Sequence, residues 1–94
     1  AGDNPVTMTK NRTIQEIGLR TRLKNRDVQL MLETLIEVWT EELVAGGRVE
    51  VEHFIVIDVQ TIERPTNRLM RRYRFRQLTM RVSKVLREKL NPKP

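Results

Sequence analysis

Cysteine is absent from these 94 residues, so no disulfide framework, thiol nucleophile or cysteine-ligated zinc site can be built. The one histidine, His53, leaves no histidine pair for a metal and no Ser-His-Asp arrangement beyond coincidence. Between two strand-like runs it reads as structural. Gly46-Gly47 is not a phosphate loop, because the Gly-Lys-Ser/Thr that would follow is missing. Catalysis, a metal, a cofactor and a small-molecule substrate are therefore not expected. No apolar run approaches the roughly 18–20 residues that span a bilayer. The beginning of the chain also lacks the basic-then-apolar pattern of a secretory signal. A cytoplasmic protein without membrane contact is the expectation.

What is present is charge, unevenly placed. Residues 1–47 carry six basic and seven acidic side chains, whereas residues 48–94 carry twelve basic and five acidic, giving +7 in that half. A basic half beside a near-neutral half suits a polyanionic partner. The densest segment is Arg64 to Arg76, with Arg64, Arg68, Arg71, Arg72, Arg74 and Arg76 in thirteen residues and no carboxylate. Arg72, Arg74 and Arg76 alternate with Tyr73 and Phe75. A strand sends alternate side chains to opposite faces, so an arginine comb would oppose an aromatic face. Arginine offers a planar fork of donors to phosphate oxygens, which points to a β-ribbon lying on a nucleic-acid backbone. The plainer reading is a solvated edge ribbon, charged to prevent aggregation.

Along the chain, residues 1–8 are polar and aperiodic and read as a flexible extension or cloning remnant. The remaining 9–94 read as one small domain. Ile14, Ile17 and Leu23 mark a first helix over about 9–22, with Gly18 lowering its propensity. Asn25 is expected to cap a second helix over 26–45, where Asp27 complements the dipole. That helix carries Val28, Met31, Leu32, Leu35, Val38 and Trp39 at near-helical spacing, with Leu30 and Ile36 widening the stripe. So apolar a helix in so short a chain calls for a second subunit. Gly46-Gly47 ends it. Strands follow over 48–52 and 55–63, with His53-Phe54 as a turn, and a third strand over 68–77 returns from a turn at Arg64–Asn67. Ser83 caps a last helix over 84–90, stopped by Asn91-Pro92.

This order of elements resembles the HU/IHF family of bacterial architectural DNA-binding proteins. Thr9-Lys10 is similar to the family's start, and Leu23-Lys24-Asn25-Arg26-Asp27-Val28 to its helix-joining Leu-Ser-x-x-Asp-Ala. Gly46-Gly47-Arg48-Val49-Glu50-Val51 resembles the Gly-x-x-Val-x-Leu strand entry, and His53-Phe54 falls where the family has Gly-Phe. Met80-Arg81-Val82-Ser83-Lys84-Val85-Leu86 is similar to Phe-Lys-Pro-Gly-Lys-x-Leu. His53 and Ile55 replace turn glycines, and the segment between Gln60 and Arg76 is several residues shorter than the family's arm. Its tip reads Arg64-Pro65-Thr66-Asn67 in place of Arg-Asn-Pro-x-Thr-Gly.

The resemblance implies an α+β fold. Two N-terminal helices, a three-stranded antiparallel sheet with a protruding β-arm and a short C-terminal helix would form an intertwined homodimer. It implies binding of double-stranded DNA with little sequence specificity, with bending or compaction of the duplex, in the nucleoid. DNA contacts are expected at Lys10, Arg64, Pro65, Arg68, Arg71, Arg72, Arg74, Arg76, Arg81 and Lys84, with Pro65 in place of the wedging proline. A dimer core is expected at Met31, Leu35, Trp39, Ile57 and Val59. Two alternatives stand beside it. One is a scaffold module that kept this fold and lost DNA binding. The other is a helix-turn-helix regulator built on residues 11–45, whose recognition helix would present Gln29, Glu33 and Glu37, an acidic surface for a groove.

Overall fold

A computed structural model describes residues 7–65 and 72–93. The elements run α1 (Lys10–Thr21), α2 (Asn25–Val44), β1 (Val49–Val51), β2 (Ile55–Pro65), β3 (Arg72–Val82) and α3 (Lys84–Leu90). The chain divides into two compact units, Ala1–Val38 and Trp39–Pro94, with α2 running through the division.

In the first unit Thr9 caps α1, its side chain accepting from the Arg12 amide. The helix ends at Arg22, which adopts φ 63° and sends its amide to the Gly18 carbonyl. The link to α2 is then only Arg22 to Lys24. Asn25 does not cap α2 as expected. It lies inside the helix, and the Lys24 carbonyl takes the first bonds, from the amides of Asp27 at 2.9 Å and Val28 at 3.1 Å. The Asn25 carboxamide is turned instead towards Gly18, where its oxygen occupies the space a Cβ would need. At Gly18, which by propensity alone weakens α1, an added Cβ would have to displace that carboxamide. Among the described residues of this unit, Ile14 and Val28 are the buried apolar side chains.

In the second unit α2 ends in a Schellman motif, with Gly46 at φ +88°. The Gly46 amide donates to the Leu43 carbonyl at 3.0 Å and the Gly47 amide to the Glu42 carbonyl at 2.8 Å. The sheet is antiparallel in the order β1-β2-β3. Its first turn closes with the Phe54 amide on the Val51 carbonyl, and His53 carries the positive φ of 64° that a type II turn needs at its third position. Ile55 opens β2 with negative φ, so only one of the two positions lacking a turn glycine takes a left-handed backbone. β1 is shorter than expected, and the alternation of buried Val49, exposed Glu50 and half-buried Val51 holds.

The second hairpin differs from expectation more deeply. A turn over Arg64–Asn67 would set Glu63 against Arg68. The observed register sets Glu63 against Arg74, with Arg64 opposite Tyr73 and Pro65 opposite Arg72. Arg64 and Pro65 are therefore strand residues, and β3 continues to Val82 instead of ending near 77. Packing explains the choice: Ile55, Ile57 and Val59 face Val82, Met80 and Leu78. The tighter turn would have set Ile57 and Val59 against Arg74 and Arg72. A register is fixed wherever one sheet face is apolar, because a slip misplaces the whole apolar set. Ser83 caps α3 as expected, accepting from the Leu86 amide at 3.1 Å. The expected extension at 1–8 and the turn residues Thr66 and Asn67 lie wholly or mostly outside the described residues.

Candidate nucleic-acid interface

β1 pairs only with Ile55 to Ile57, so from Asp58 outward β2 has β3 as its sole neighbour. Residues 58–65 and 72–79 form a two-stranded arm. Directly opposed residues share a face. One face therefore carries Val49, Val51, Ile55, Ile57, Val59, Leu78, Met80 and Val82 near the base, then Thr61, Arg76, Glu63 and Arg74 further out. The other carries Glu50, Asp58, Arg81 and Thr79 near the base, then Ile62 and Phe75. Apolar character changes sides along the hairpin. The expected comb holds in this register: Arg74 and Arg76 lie on the face opposite Phe75. The Arg64 guanidinium stands 5.9 Å from the Phe75 ring centroid, within cation–π range.

The arginines of the arm do not all face solvent alone. Arg74 Nε donates to Glu63 Oε1 at 2.6 Å, directly across the strands. Arg76 Nη1 donates to the Val44 carbonyl at 2.7 Å, at the end of α2. Elsewhere Arg81 Nη2 donates to Asp58 Oδ2 at 3.1 Å, Lys10 Nζ to Glu33 Oε2 at 3.3 Å, and Lys84 stands 3.9 Å from Glu88. The four ion pairs each have an exposed cation and are worth at most about 1 kcal/mol apiece, so phosphates can compete for Arg74, Arg81, Lys10 and Lys84. Pro65 and Arg72 are placed by their backbone register, while Arg68 and Arg71 lie outside the described residues.

Two basic residues escaped the sequence reading. Arg48 approaches Asp58 at 3.6 Å, and Arg48, Arg81 and Arg87 line one groove with Val56, Val82 and Ser83. Asp58 pairs with Arg48 and Arg81, and the groove lining itself holds three guanidinium groups and no carboxylate. The signal was available for Arg48, since a hairpin pairing Val51 with Ile55 brings residues 48 and 58 together. Among the described residues no cluster of His, Cys, Asp or Glu could hold a metal, and no helix is long and apolar enough to cross a membrane.

The family description "Bacterial DNA-binding protein" matches residues 8–91. The chain belongs to that family, the HU/IHF proteins. A curated relative, DNA-binding protein HU from Thermotoga maritima, is 34% identical over 53 residues. Those are 56% of this chain and 59% of the relative, so the match spans less than two thirds of that protein. Among solved structures, a mutant of HU from Thermotoga maritima superposes with TM-score 0.71 at 25% identity, covering 89% of this chain and 100% of that one. A cocrystal of Anabaena HU with DNA superposes with TM-score 0.70 at 16% identity, covering 92% and 100%. At that identity the likeness shows the fold. The HU/IHF family is architectural and not enzymatic, and its α+β fold is the one observed here. Family and sheet together leave the helix-turn-helix alternative unsupported, and Glu33 of the supposed recognition helix is engaged by Lys10.

Proposed function

We propose that this chain works as a homodimer whose two basic arms grip double-stranded DNA, with little regard to sequence, as an architectural protein of the nucleoid. The observation that carries this reading is the two-stranded arm, which reaches beyond β1 with Arg74 on one face and Arg64 and Phe75 associated on the other. The charge sits where a backbone-tracking ribbon needs it. Arg68, Arg71 and Arg72 add to it in sequence, and Pro65 lies at the outer end of β2. Lys10, Arg81 and Lys84 supply further cations on the remaining elements, and Arg48 and Arg87 join Arg81 in its groove.

Support for a second subunit comes from what one chain leaves uncovered. Among the described residues only Ile14, Val28 and Val49 are buried apolar side chains. On α2, Met31 is 52% exposed, Leu35 38% and Ile36 50%, and on β3 Leu78 and Met80 are also open. Covering what remains open of such side chains is worth about 1 kcal/mol each, roughly half the value of full burial, which a chain with so little core needs. Met31, Leu35, Trp39, Ile57 and Val59 are the proposed centre of that interface. Two arms on one two-fold axis embrace a duplex where a single ribbon would bind weakly.

Binding driven by counterion release through about six to ten phosphate contacts falls by roughly 10³–10⁵ between 50 and 200 mM salt. The test is a gel shift on linear, nicked and gapped duplexes over a salt series, with solution mass measured alongside. Replacing Arg68, Arg71, Arg72 and Arg74 with alanine should flatten the salt slope and weaken all sequences alike. A monomer at micromolar concentration, or a slope unmoved by that variant, would remove the reading. Indifference to DNA from a protein that still dimerises would favour the scaffold alternative.

A further inference from the structure

We infer that Arg76 is a positioning residue that clamps the root of the arm to the end of α2, and that it is withheld from DNA phosphates. The last four carbonyls of a helix have no partner within it. Three of those in α2 are satisfied locally: Glu41 by the Ala45 amide, Leu43 by Gly46 and Glu42 by Gly47. The fourth, Val44, accepts from Arg76 Nη1 at 2.7 Å, across 32 residues of sequence. The electrostatics of the helix end favour the same guest. The last turn of α2 holds Glu41 and Glu42 and no basic residue, so two carboxylates add to the negative end of the dipole. Arg76 brings the missing cation.

The place of Arg76 in the sheet gives the contact its consequence. Opposite Thr61, it stands where the apolar base face has just ended and Arg74 and Glu63 follow. β1 no longer supports the hairpin there, and a two-stranded ribbon alone is marginally stable in water. A charge-assisted bond from this point to Val44 fixes the direction in which the arm leaves the base. Arg76 also lines a groove of about 310 Å³ together with Leu43, Val44, Val59 and Leu78, the residues that flank the root of the arm. Arg74, two residues further out, pairs instead with Glu63 on the arm itself. Phosphate contacts of the arm therefore begin beyond Arg76.

The role of Arg76 in DNA binding rests on the arm-binding reading, whereas the clamp does not, and two readouts separate them. In the DNA-free protein, Arg76→Ala should speed amide exchange at Gly46, Gly47 and Gln77 by about tenfold, the loss expected for one charge-assisted bond. Arg76→Lys, which keeps the charge and one donor, should restore most of the protection. In salt-dependent DNA titrations Arg76→Ala should weaken binding while leaving the slope unchanged. Unaltered exchange in Arg76→Ala would overturn the clamp. A slope reduced by about 0.9, the value of one phosphate contact, would overturn the withholding of Arg76 from DNA. If the parent protein ignores duplex DNA, the arm reading fails and the exchange measurement still decides the clamp. If Arg76→Ala does not fold, Arg76→Lys supplies the slope, and exchange no faster than in the parent sustains the clamp, whereas exchange as fast at Gln77 as in an unpaired strand overturns it.

Discussion

The inner and outer halves of the β2–β3 hairpin are built from the same two strands in one register, yet they do opposite things. Near the base, Ile55, Ile57 and Val59 meet Val82, Met80 and Leu78, while Asp58 and Arg81 bond on the reverse face. Further out the face that was apolar carries Glu63 and Arg74, and the reverse face carries Ile62 and Phe75. The exchange occurs between Val59 and Ile62, where Gln60 and Thr61 face Gln77 and Arg76. An apolar sheet face and a charged one can thus follow each other along one ribbon, separated by two polar rungs. Alternation is kept throughout, and only the chemistry of each face changes.

That contrast can be broken most severely at the base. Leu78 is 60% exposed in the single chain, so Leu78→Asp should be nearly silent, within about 0.5 kcal/mol, if the face stays open to water. Covered by a second subunit, the same carboxylate should cost at least about 2 kcal/mol and yield monomers, read by denaturant unfolding and solution mass. The second outcome is expected. Next in size is the backbone beside the base. Gly46→Ala meets no neighbouring atom within 4 Å, so its effect is purely the left-handed φ of +88°. A loss of about 1–2 kcal/mol in unfolding free energy, measured by urea titration, is expected, and no loss would mean the helix end had rearranged. The smallest effect belongs to the arm. Glu63→Gln removes the charge facing Arg74 and should shift stability by no more than about 0.5 kcal/mol. It should also steepen the salt dependence of DNA binding, by about 0.9 for each cation released. A flatter slope would show that Glu63 aids binding and would recast the arm as a balanced ribbon.

Features fixed by neighbours in sequence were legible in advance. Ser83 caps α3, the two glycines close α2, and Val49-Glu50-Val51 alternates inward and outward. The hairpin register was not legible, because Pro65-Thr66-Asn67 carries strong turn chemistry at the place where a turn was wanted. Local preference lost to the apolar rungs between Ile55–Val59 and Leu78–Val82, which couple residues 19 to 27 apart. The period-2 pattern of Leu78, Met80 and Val82 is the local signal that β3 runs on to Val82. Asn25 failed as a cap for a related reason, since its carboxamide found Gly18 instead of its own helix. Among the expected DNA contacts, residue type revealed a positive charge but not its occupation, and Arg74, Arg81 and Lys10 all proved to have acidic partners.

Composition and pattern by themselves determined that this chain is short of core, rich in arginine in its second half, and ordered as two helices, a sheet and a final helix. Those properties are sums over neighbouring residues, and a linear reading can add them. The tertiary structure alone decided which arginine meets which acceptor: Arg76 at the carbonyl of Val44, Arg74 at Glu63, Arg81 at Asp58. Hydrogen bonds and ion pairs act over about 3 Å, so they depend on where folding brings distant residues, and one slip of register would reassign every one of them.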